Sequence, residues 1–404
     1  MKIAIVGAGA AGMFCAANLD GHFETRVFEA SNAPLKKLLK TGGGRCNFTN
    51  ENIVPTADLK NFYPRGAGSL RKPIGRFPAA AAVEFFESCG VRSKREDGGK
   101  IFPRSDRAED IARALLEKSD VRISLNSPVV GVSEYGGKFA VHIAGDDAPR
   151  EFDAVVFALG GHWGEPLKKS VESFEHTFNP EIPSLFGLCA DVAQDANFKS
   201  GVALDARMWA DFGGRKISVR DSLLTAHFGF TGPCALKFSS FAARELCECG
   251  YNARAFLDFL PGLPRDEIFS TFKKARAEHT KKMLSNFCPF MLPQNFWNYI
   301  LFRAGVAADT RFANLTRRQE QAIAELLRNF EFRITGRSPS KGEFVSCGGV
   351  DCRGVDFSTM QSRKKAGLFF LGECLDIDAI TGGFNLHAAW ATAKTCADFL
   401  NANF

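Results

Sequence analysis

Lys2-Ile3-Ala4-Ile5-Val6-Gly7-Ala8-Gly9-Ala10-Ala11-Gly12 stands near the amino end of the chain, and the next apolar run, Thr25-Arg26-Val27-Phe28, ends on Glu29. The pattern predicts a strand, a G-x-G-x-x-G turn, a helix, a second strand and an acid. Together these pieces bind a dinucleotide. Ile3 to Val6 make a short buried strand. Gly7 permits a tight turn, Gly9 lets the backbone approach a pyrophosphate, and Gly12 lets helix and strand pack closely. The start of the helix offers unpaired N–H groups and the positive end of its dipole to phosphates. Glu29 lies about 20 residues on, where a carboxylate takes the hydroxyls of an adenosine ribose and repels a 2′-phosphate. This stretch alone leaves NAD and FAD both open.

Working outward, 404 residues predict two or three domains and a large core. Apolar residues at 45% and charged residues at 24% are ordinary for a globular protein. The net charge of +6 is spread over short clusters such as Lys36-Lys37, Arg92 to Arg95 and Arg363 to Lys365. They read as solvated faces, and no extended basic stripe with interleaved aromatics is apparent. Twelve cysteines without a regular framework suggest reduced thiols in a cytoplasmic protein. The glycine fingerprint occupies the apolar stretch that would otherwise suggest a signal peptide, so export is not expected. No run of about 18 apolar residues is present, so no membrane span is expected either. The 39 Phe against 4 Tyr have no evident functional reading.

Helices are expected over Ala79–Cys89 and over Ala108–Glu117, the latter introduced by Ser105-Asp106 as caps. Val121–Leu125, Val129–Glu134 and Lys138–Ile143 read as three strands of a small meander, with Gly136-Gly137 as a hairpin signal. Phe152–Leu159 is a continuous apolar run before Gly160-Gly161, as suits a strand buried on both faces. Residues 162–260 show strand-like runs and turns. Helical patterns follow over Arg265–Ala277, Pro293–Ala304 and Thr316–Asn329, and Thr316 with Gln319 forms a capping box. Strand patterns return over 331–371, and a last helix is expected from Asn385 to Leu400.

The second strong signal is Gly367-Leu368-Phe369-Phe370-Leu371-Gly372-Glu373, followed by Asp376, Asp378 and Thr381-Gly382-Gly383-Phe384-Asn385-Leu386. A buried strand runs into Gly-Glu, a loop, and glycines at a helix start. That helix end suits the negative charge of a reduced flavin near N1 and O2, and the carboxylate suits ribityl hydroxyls. An NAD-only dehydrogenase has no use for this second element, so the cofactor is read as FAD. The sheet then comes from both ends of the chain, with an insertion between about 165 and 340.

Gly42-Gly43-Gly44-Arg45-Cys46-Asn47-Phe48-Thr49-Asn50 resembles the signature of the BaiN-like (YhiN-type) FAD-dependent oxidoreductases, also labelled the aminoacetone oxidase family. Lys100 to Ser105, Thr225 to Pro233, Ser346 to Val350, Thr359 to Ser362 and Gly372 to Leu386 match its further motifs in order. The resemblance implies an α/β fold: an FAD-binding Rossmann-type domain of the two-dinucleotide-binding-fold kind built from both termini, with an inserted β-rich domain and a helical subdomain. The expected boundaries are 1–165, 166–260, 261–335 and 336–404. It also implies cofactor contacts at Gly7, Gly9, Ala11, Gly12, Glu29, Ala30, Lys37, Gly44, Arg45, Cys46, Asn47, Val130, Ala158 and Gly160. In the C-terminal block they fall at Gly372, Glu373, Asp376, Gly382, Gly383, Phe384, Asn385 and Leu386. The stretch Ala158 to Pro166 diverges from the family, and His387 stands where many members have Gln.

Catalytic candidates are Cys46 in the flavin-side loop, His227 beside a Gly-Pro turn, and His387 one turn inside the last helix. His162 is a further candidate. Cys347 and Cys352 have the C-x4-C spacing of flavin disulfide reductases but stand late in the chain, and Cys247 with Cys249 has no partner pair at zinc spacing. No metal is therefore expected. With no second G-x-G-x-x-G, NAD(P)H would act as a transient co-substrate or the electrons come from elsewhere. The expected reaction is hydride transfer between flavin and an activated C=C or amine of a small molecule. The alternative is an RNA-modifying enzyme reducing a pyrimidine C5=C6 bond. A non-catalytic FAD-stabilised binding protein is a third reading, which the intact flavin-side motifs disfavour.

Overall fold

The computed structural model describes residues 1–338 and 345–404. Residues 339–344, part of the strand pattern expected over 331–371, lie outside the described residues. The chain divides into two compact units, residues 1–182 with 345–404, and residues 183–344.

The first unit is built on parallel strands β1 (Lys2–Val6), β2 (Glu24–Phe28), β3 (Arg122–Ser124), β4 (Ala154–Phe157) and β5 (Leu368–Phe370). Their order is β5-β4-β1-β2-β3, and Gln361–Ser362 and Val355–Asp356 extend the sheet antiparallel beyond β5. Ile5 pairs with Val27 on one side and Val156 on the other. The chain runs outward from β1 through β2 to β3, then returns to the opposite side of β1 through β4 to β5. The order therefore reverses between β1 and β4, the point where doubly wound sheets bind ligands at the carboxyl ends of their strands. Ile3 to Val6 and Ala154 to Phe157 are buried, as strands covered on both faces must be.

Helix α1 (Ala10–Ala16) follows β1, and α2 (Phe384–Asn403) ends the chain. They meet through Phe14 and Trp390, whose rings lie 5.1 Å apart. Phe77, Phe85 and Phe86 also pack on Phe14, and Phe48 packs on Phe86. This core use accounts for part of the phenylalanine excess.

Two local expectations are corrected. The strand expected at Val121–Leu125 is β3, which pairs parallel with β2 (Val27 with Ile123) and does not join the meander. The helix Ala108–Lys118 carries the chain back over the sheet first, so the strand re-enters parallel. The meander consists of Val129–Tyr135, Lys138–Ile143 and Arg150–Phe152. Ser105 and Asp106 do not cap that helix. Its N-cap is Arg107, and the Asp106 carboxylate accepts from Arg45 Nε at 2.7 Å.

The second unit contains a closed antiparallel barrel. Its strands run in the order Leu188–Ala190, Gly229–Thr231, Arg215–Ala226, Ala203–Phe212, Ala253–Asp258 and Phe330–Arg337. Leu204, Ala206, Met208 and Ala210 point inward, alternating with polar or half-exposed residues as the two-residue period of a strand requires. Closure leaves no free sheet edge among these strands. Phe330–Arg337 thus completes the barrel. Within 162–260 the structure adds the helices Glu165–Glu172, Gly232–Phe241 and Ala243–Glu248, where strands and turns were expected. Gly232-Pro233 reads as a turn in sequence, but proline also suits the first turn of a helix because its missing N–H has no intrahelical partner there.

Arg265–Glu278, Gln294–Arg303 and Arg317–Arg328 are helical as expected and belong to this same unit. Both halves of the Thr316–Gln319 capping box form. Thr316→Ala should remove an N-cap bond at the start of an amphipathic helix, lowering the stability of the protein by about 1 kcal/mol; denaturant melts of the two forms measure the difference.

Candidate FAD site

Gly7, Gly9, Glu29, Ala158, Gly160, Gly372 and Glu373 follow the carboxyl ends of β1, β2, β4 and β5. Gly7 has φ of +108° and donates its N–H to Phe28 O at 2.8 Å. A Cβ on Gly7 would lie 2.5 Å from Ala158 O, and one on Gly12 would lie 2.0 Å from Gly7 O. Neither position has room for a side chain. Gly9 differs: its Cβ would meet only Ala158 O, at 4.0 Å. The empty space beside Gly9 is what a pyrophosphate needs, next to first-turn amides of α1 that have no intrahelical partner. Ala11 serves packing instead, since a Cβ on Gly372 would stand 3.2 Å from its methyl.

Glu29, immediately after β2, is held in place by two backbone donors. Its Oε2 accepts from Ala8 N at 3.0 Å and its Oε1 from Ser31 N at 2.9 Å. Each oxygen keeps a lone pair for a hydroxyl. Ala30, next along, is exposed. Val130 sits in the meander, at the irregularity between Val129 and Gly131, and is 38% exposed.

Gly160 (φ +74°) and Gly161 follow β4. Gly372 (φ +63°) follows β5 and donates its N–H to Thr392 Oγ1 on α2 at 3.0 Å. The Glu373 carboxylate accepts from Lys37 Nζ at 2.7 and 3.0 Å and from Ser346 N at 2.9 Å. It stands 3.8 Å from where a Gly160 Cβ would be, so Lys37, Gly160 and Glu373 converge. Asp376 Oδ2 accepts from Asn179 Nδ2 at 2.8 Å.

The glycine-rich loop has three consecutive left-handed residues, Gly42, Gly43 and Gly44 (φ +57°, +69° and +85°). Arg45 was expected to contact the cofactor, but its guanidinium is committed elsewhere. It bonds Asp106 and Glu96 and lies 4.1 Å over the Phe102 ring. Asn47 Oδ1 accepts from Ile101 N at 3.2 Å. Asn50, which sequence reasoning passed over as a site residue, donates to Gly382 O at 2.9 Å and so fastens this loop to the start of α2. At that start Gly383 (φ +93°) is the N-cap, and a Cβ there would lie 2.5 Å from Thr49 O. Phe384 stacks on Phe62 at 4.5 Å, Asn385 makes two 2.9 Å bonds with the backbone of Ala379, and Leu386 is half-buried.

Arg65 and Asp378 were also missed. Asp378 is fully buried and its two oxygens take the Arg65 fork. The sequence signal is two carboxylates, Asp376 and Asp378, alternating with the apolar residues of Leu375 to Ile380, because a charge buried among them demands a partner.

The catalytic expectations change most. His387 is completely buried. Its Nε2 lies 2.9 Å from Phe77 O, a carbonyl that only accepts, so Nε2 carries the proton. Nδ1 then accepts from Thr49 Oγ1 at 2.9 Å. Burial lowers its pKa to about 4. Both nitrogens are occupied and the ring has no exposed atom, so His387 ties α2 to the loop and is not a proton donor to substrate. Cys46 is also buried, and desolvation pushes its thiol up to about 12. It is not a reactive thiolate; its φ of +57° marks it as a turn residue of the loop. Cys347 and Cys352 are not joined by a disulfide. His227 belongs to the second unit, exposed in the turn between two barrel strands with Phe228 beside it. His162 is exposed on the loop after Gly161.

The residues present fit FAD: a side-chain-free approach at Gly9, a pre-oriented carboxylate at Glu29, and a second glycine-flanked helix start at Gly382-Gly383. Gly9→Val should therefore give a folded protein that purifies without the flavin absorbance, whereas Gly12→Ala should lower the melting temperature itself. Glu29→Ala should weaken FAD retention while the protein stays folded, measured as flavin released on dilution.

His387 yields a pH prediction. Its folded-state pKa lies below the unfolded value of about 6.5, so the unfolded chain binds a proton that the folded one excludes. The stabilisation is complete above about pH 6.5 and is lost as pH falls toward 4. Between pH 7 and 5 this site should cost about 2 kcal/mol. Glutamine can donate to Phe77 O and accept from Thr49, so His387→Gln should flatten that part of the stability–pH curve while keeping its FAD.

Comparison with known proteins agrees with this geometry. The model of the HI0933-like protein Rossmann domain matches residues 1–399. A ribosomal RNA dihydrouridine synthase of Escherichia coli strain K12 is 29% identical, covering 98% of this chain and 97% of its own. A 3-dehydro-bile acid delta(4,6)-reductase of Clostridium scindens is 27% identical, covering 97% of each. Among solved structures, 3-ketosteroid delta1-dehydrogenase from Sterolibacterium denitrificans shares the fold, with a TM-score of 0.52 and 12% identity over 100% of this chain and 99% of the other. The cradle at the strand ends and the match along nearly the whole chain lead to one conclusion: this protein belongs to the HI0933-like Rossmann family and is an FAD-dependent oxidoreductase.

Proposed function

We propose that this protein reduces a carbon–carbon double bond conjugated to a carbonyl, with NAD(P)H as the transient electron donor. The observation that carries the reading is the glycine-cleared cradle at the β1/β4 switch point, built from both ends of the chain as a flavin site requires. The two relatives described above narrow the chemistry. Saturating the C5=C6 bond of uracil and removing a double bond conjugated to a 3-oxo group of a bile acid are the same reaction type. For a double bond α,β to a carbonyl, such a reduction adds hydride to the β carbon and a proton to the α carbon. This supports reduction over amine oxidation. Among the described residues no second dinucleotide fold is present, which supports a donor that visits and leaves.

Bound FAD supplies the two-electron carrier. The protein binds and orients it. Glu29 would take ribose hydroxyls, and the amides at the starts of α1 and α2 would face the pyrophosphate and the pyrimidine edge of the flavin. Lys37 holds the Glu373 carboxylate in place and offsets its charge. With Cys46 and His387 withdrawn as donors, His162 is the candidate in this unit to hold the proton for the α carbon, at an imidazole nitrogen.

Anaerobic titration tests the proposal. NADH or NADPH should bleach the flavin, and 2-cyclohexenone, but not cyclohexene, should restore its colour. A flavin that neither cofactor bleaches, or that only molecular oxygen reoxidises, would sink the reading. His162→Gln should slow reoxidation by the enone about 100-fold or more while bleaching is unchanged.

A further inference from the structure

Glu181 lies on the strand Phe178–Ser184, which pairs with Val345–Val350. Residues 178–182 and 345–350 belong to the first unit, and both strands adjoin the candidate FAD site. Asn179 donates from Nδ2 to Asp376 Oδ2 at 2.8 Å, and Ser346 N–H donates to the Glu373 carboxylate at 2.9 Å. The loop after β4 rests on the first of these strands. The Trp163 ring meets Phe178 edge-on at 5.0 Å, and its Nε1–H donates to Cys374 O at 3.3 Å. The main-chain N–H of Trp163 donates to the Glu181 carboxyl group. That amide is one peptide unit from His162, whose side chain is exposed. The proton donor proposed above therefore stands beside a carboxyl group that linear order does not place near it.

Glu181 is poorly provided for as an anion. Its Oε1 is buried and has no hydrogen-bond partner among the described residues. Burial raises its pKa above the usual carboxylate value; the Trp163 N–H, His162 and Lys168 oppose this, and Glu165 adds to it. The paired strand contributes the buried Cys347 thiol and no charge. A carboxylate with a buried, unmet oxygen is costly, whereas the neutral acid carries an O–H and needs only an acceptor for it. A neutral imidazole nitrogen is such an acceptor. Holding the loop through Trp163 needs no more than a carbonyl oxygen, which a glutamine would supply as well. An acid at this position adds one thing, a proton that can leave.

We propose that Glu181 is a positioning residue for the reduction: with His162 it keeps one proton at the site for the α carbon. The proposal rests on the reductase reading and on His162 as its donor. The O–H bond of Glu181 breaks as an N–H bond forms on His162. That imidazolium N–H breaks as the C–H bond at the α carbon forms, and the carboxylate left behind takes a proton from water. Hydride at the β carbon brings both electrons, which originate in NAD(P)H. One hydride and one proton are thus consumed for each double bond saturated.

Glu181→Gln in the full-length flavoprotein tests the proposal, because the amide keeps an acceptor for the Trp163 N–H and cannot give up a proton. In histidine NMR, the ring signal absent from His162→Gln identifies His162. Its titration midpoint in the wild type should lie about one pH unit or more above that in Glu181→Gln, since a carboxylate beside an imidazolium favours the charged form. In anaerobic reoxidation by 2-cyclohexenone, Glu181→Gln should nearly match the wild type at about pH 6 and be about tenfold slower at about pH 8, because His162 alone loses its proton near about pH 6.5. FAD content, melting temperature and bleaching by NAD(P)H should be unchanged, which separates loss of the proton from loss of the loop. Equal midpoints, equal rates across the pH range, or a slowing of the same size at every pH overturns the proposal. A wild type whose His162 midpoint is raised but whose flavin the enone does not reoxidise would instead count against the reductase reading and leave the shared proton standing.

Discussion

Everything in the first unit depends on backbones approaching at the end of β1 more closely than any side chain allows. A Cβ on Gly7 would press into Ala158 O at the end of β4, and one on Gly12 would press into Gly7 O. Two glycines thus set the distance between the central strands and the helix that leaves them. Gly9, between them, contributes open space instead. The same contrast recurs at the other end of the chain, where Gly383 admits no Cβ beside Thr49 O. The two halves of the cofactor cradle are made by one physical device, removal of side chains where main chain must meet main chain or a phosphate.

The second dependency is how the ends are tied together. Residues 47–50 are bound to α2 and its start by Asn50 to Gly382 O, Thr49 to His387 Nδ1 and Trp390 Nε1 to Phe48 O. These bonds are buried, where an unmet donor or acceptor is costly, so they fix the arrangement as well as stabilise it. His387 belongs to this tie. A histidine held neutral between a hydroxyl and a carbonyl does the work of an amide.

Several charged residues have similarly local duties. Arg45, from the most diagnostic stretch of the chain, is spent on Glu96, Asp106 and the Phe102 ring. Arg65 neutralises the buried Asp378. Lys37 and Glu373 come together from positions more than three hundred residues apart to flank Gly160. The glycines and main-chain groups are the open part of the site, while most of its charged side chains have partners.

What the sequence by itself determined is the part written in contiguous residues. The strand–glycine turn–helix–strand–acid at the start, the Gly-Glu and Gly-Gly-Phe-Asn elements at the end, and the capping box at Thr316 each depend on backbone conformation and near neighbours. Their chemistry can therefore be read in order along the chain. Only the tertiary structure decided which polar side chains are free. Burial, not residue type, withdrew His387 and Cys46 from catalysis, and burial depends on what distant segments pack above a residue. Only cross-strand register stacked the Trp209 ring on Phe256 in the barrel, because residues opposite each other on separate strands are neighbours that linear inspection cannot assemble.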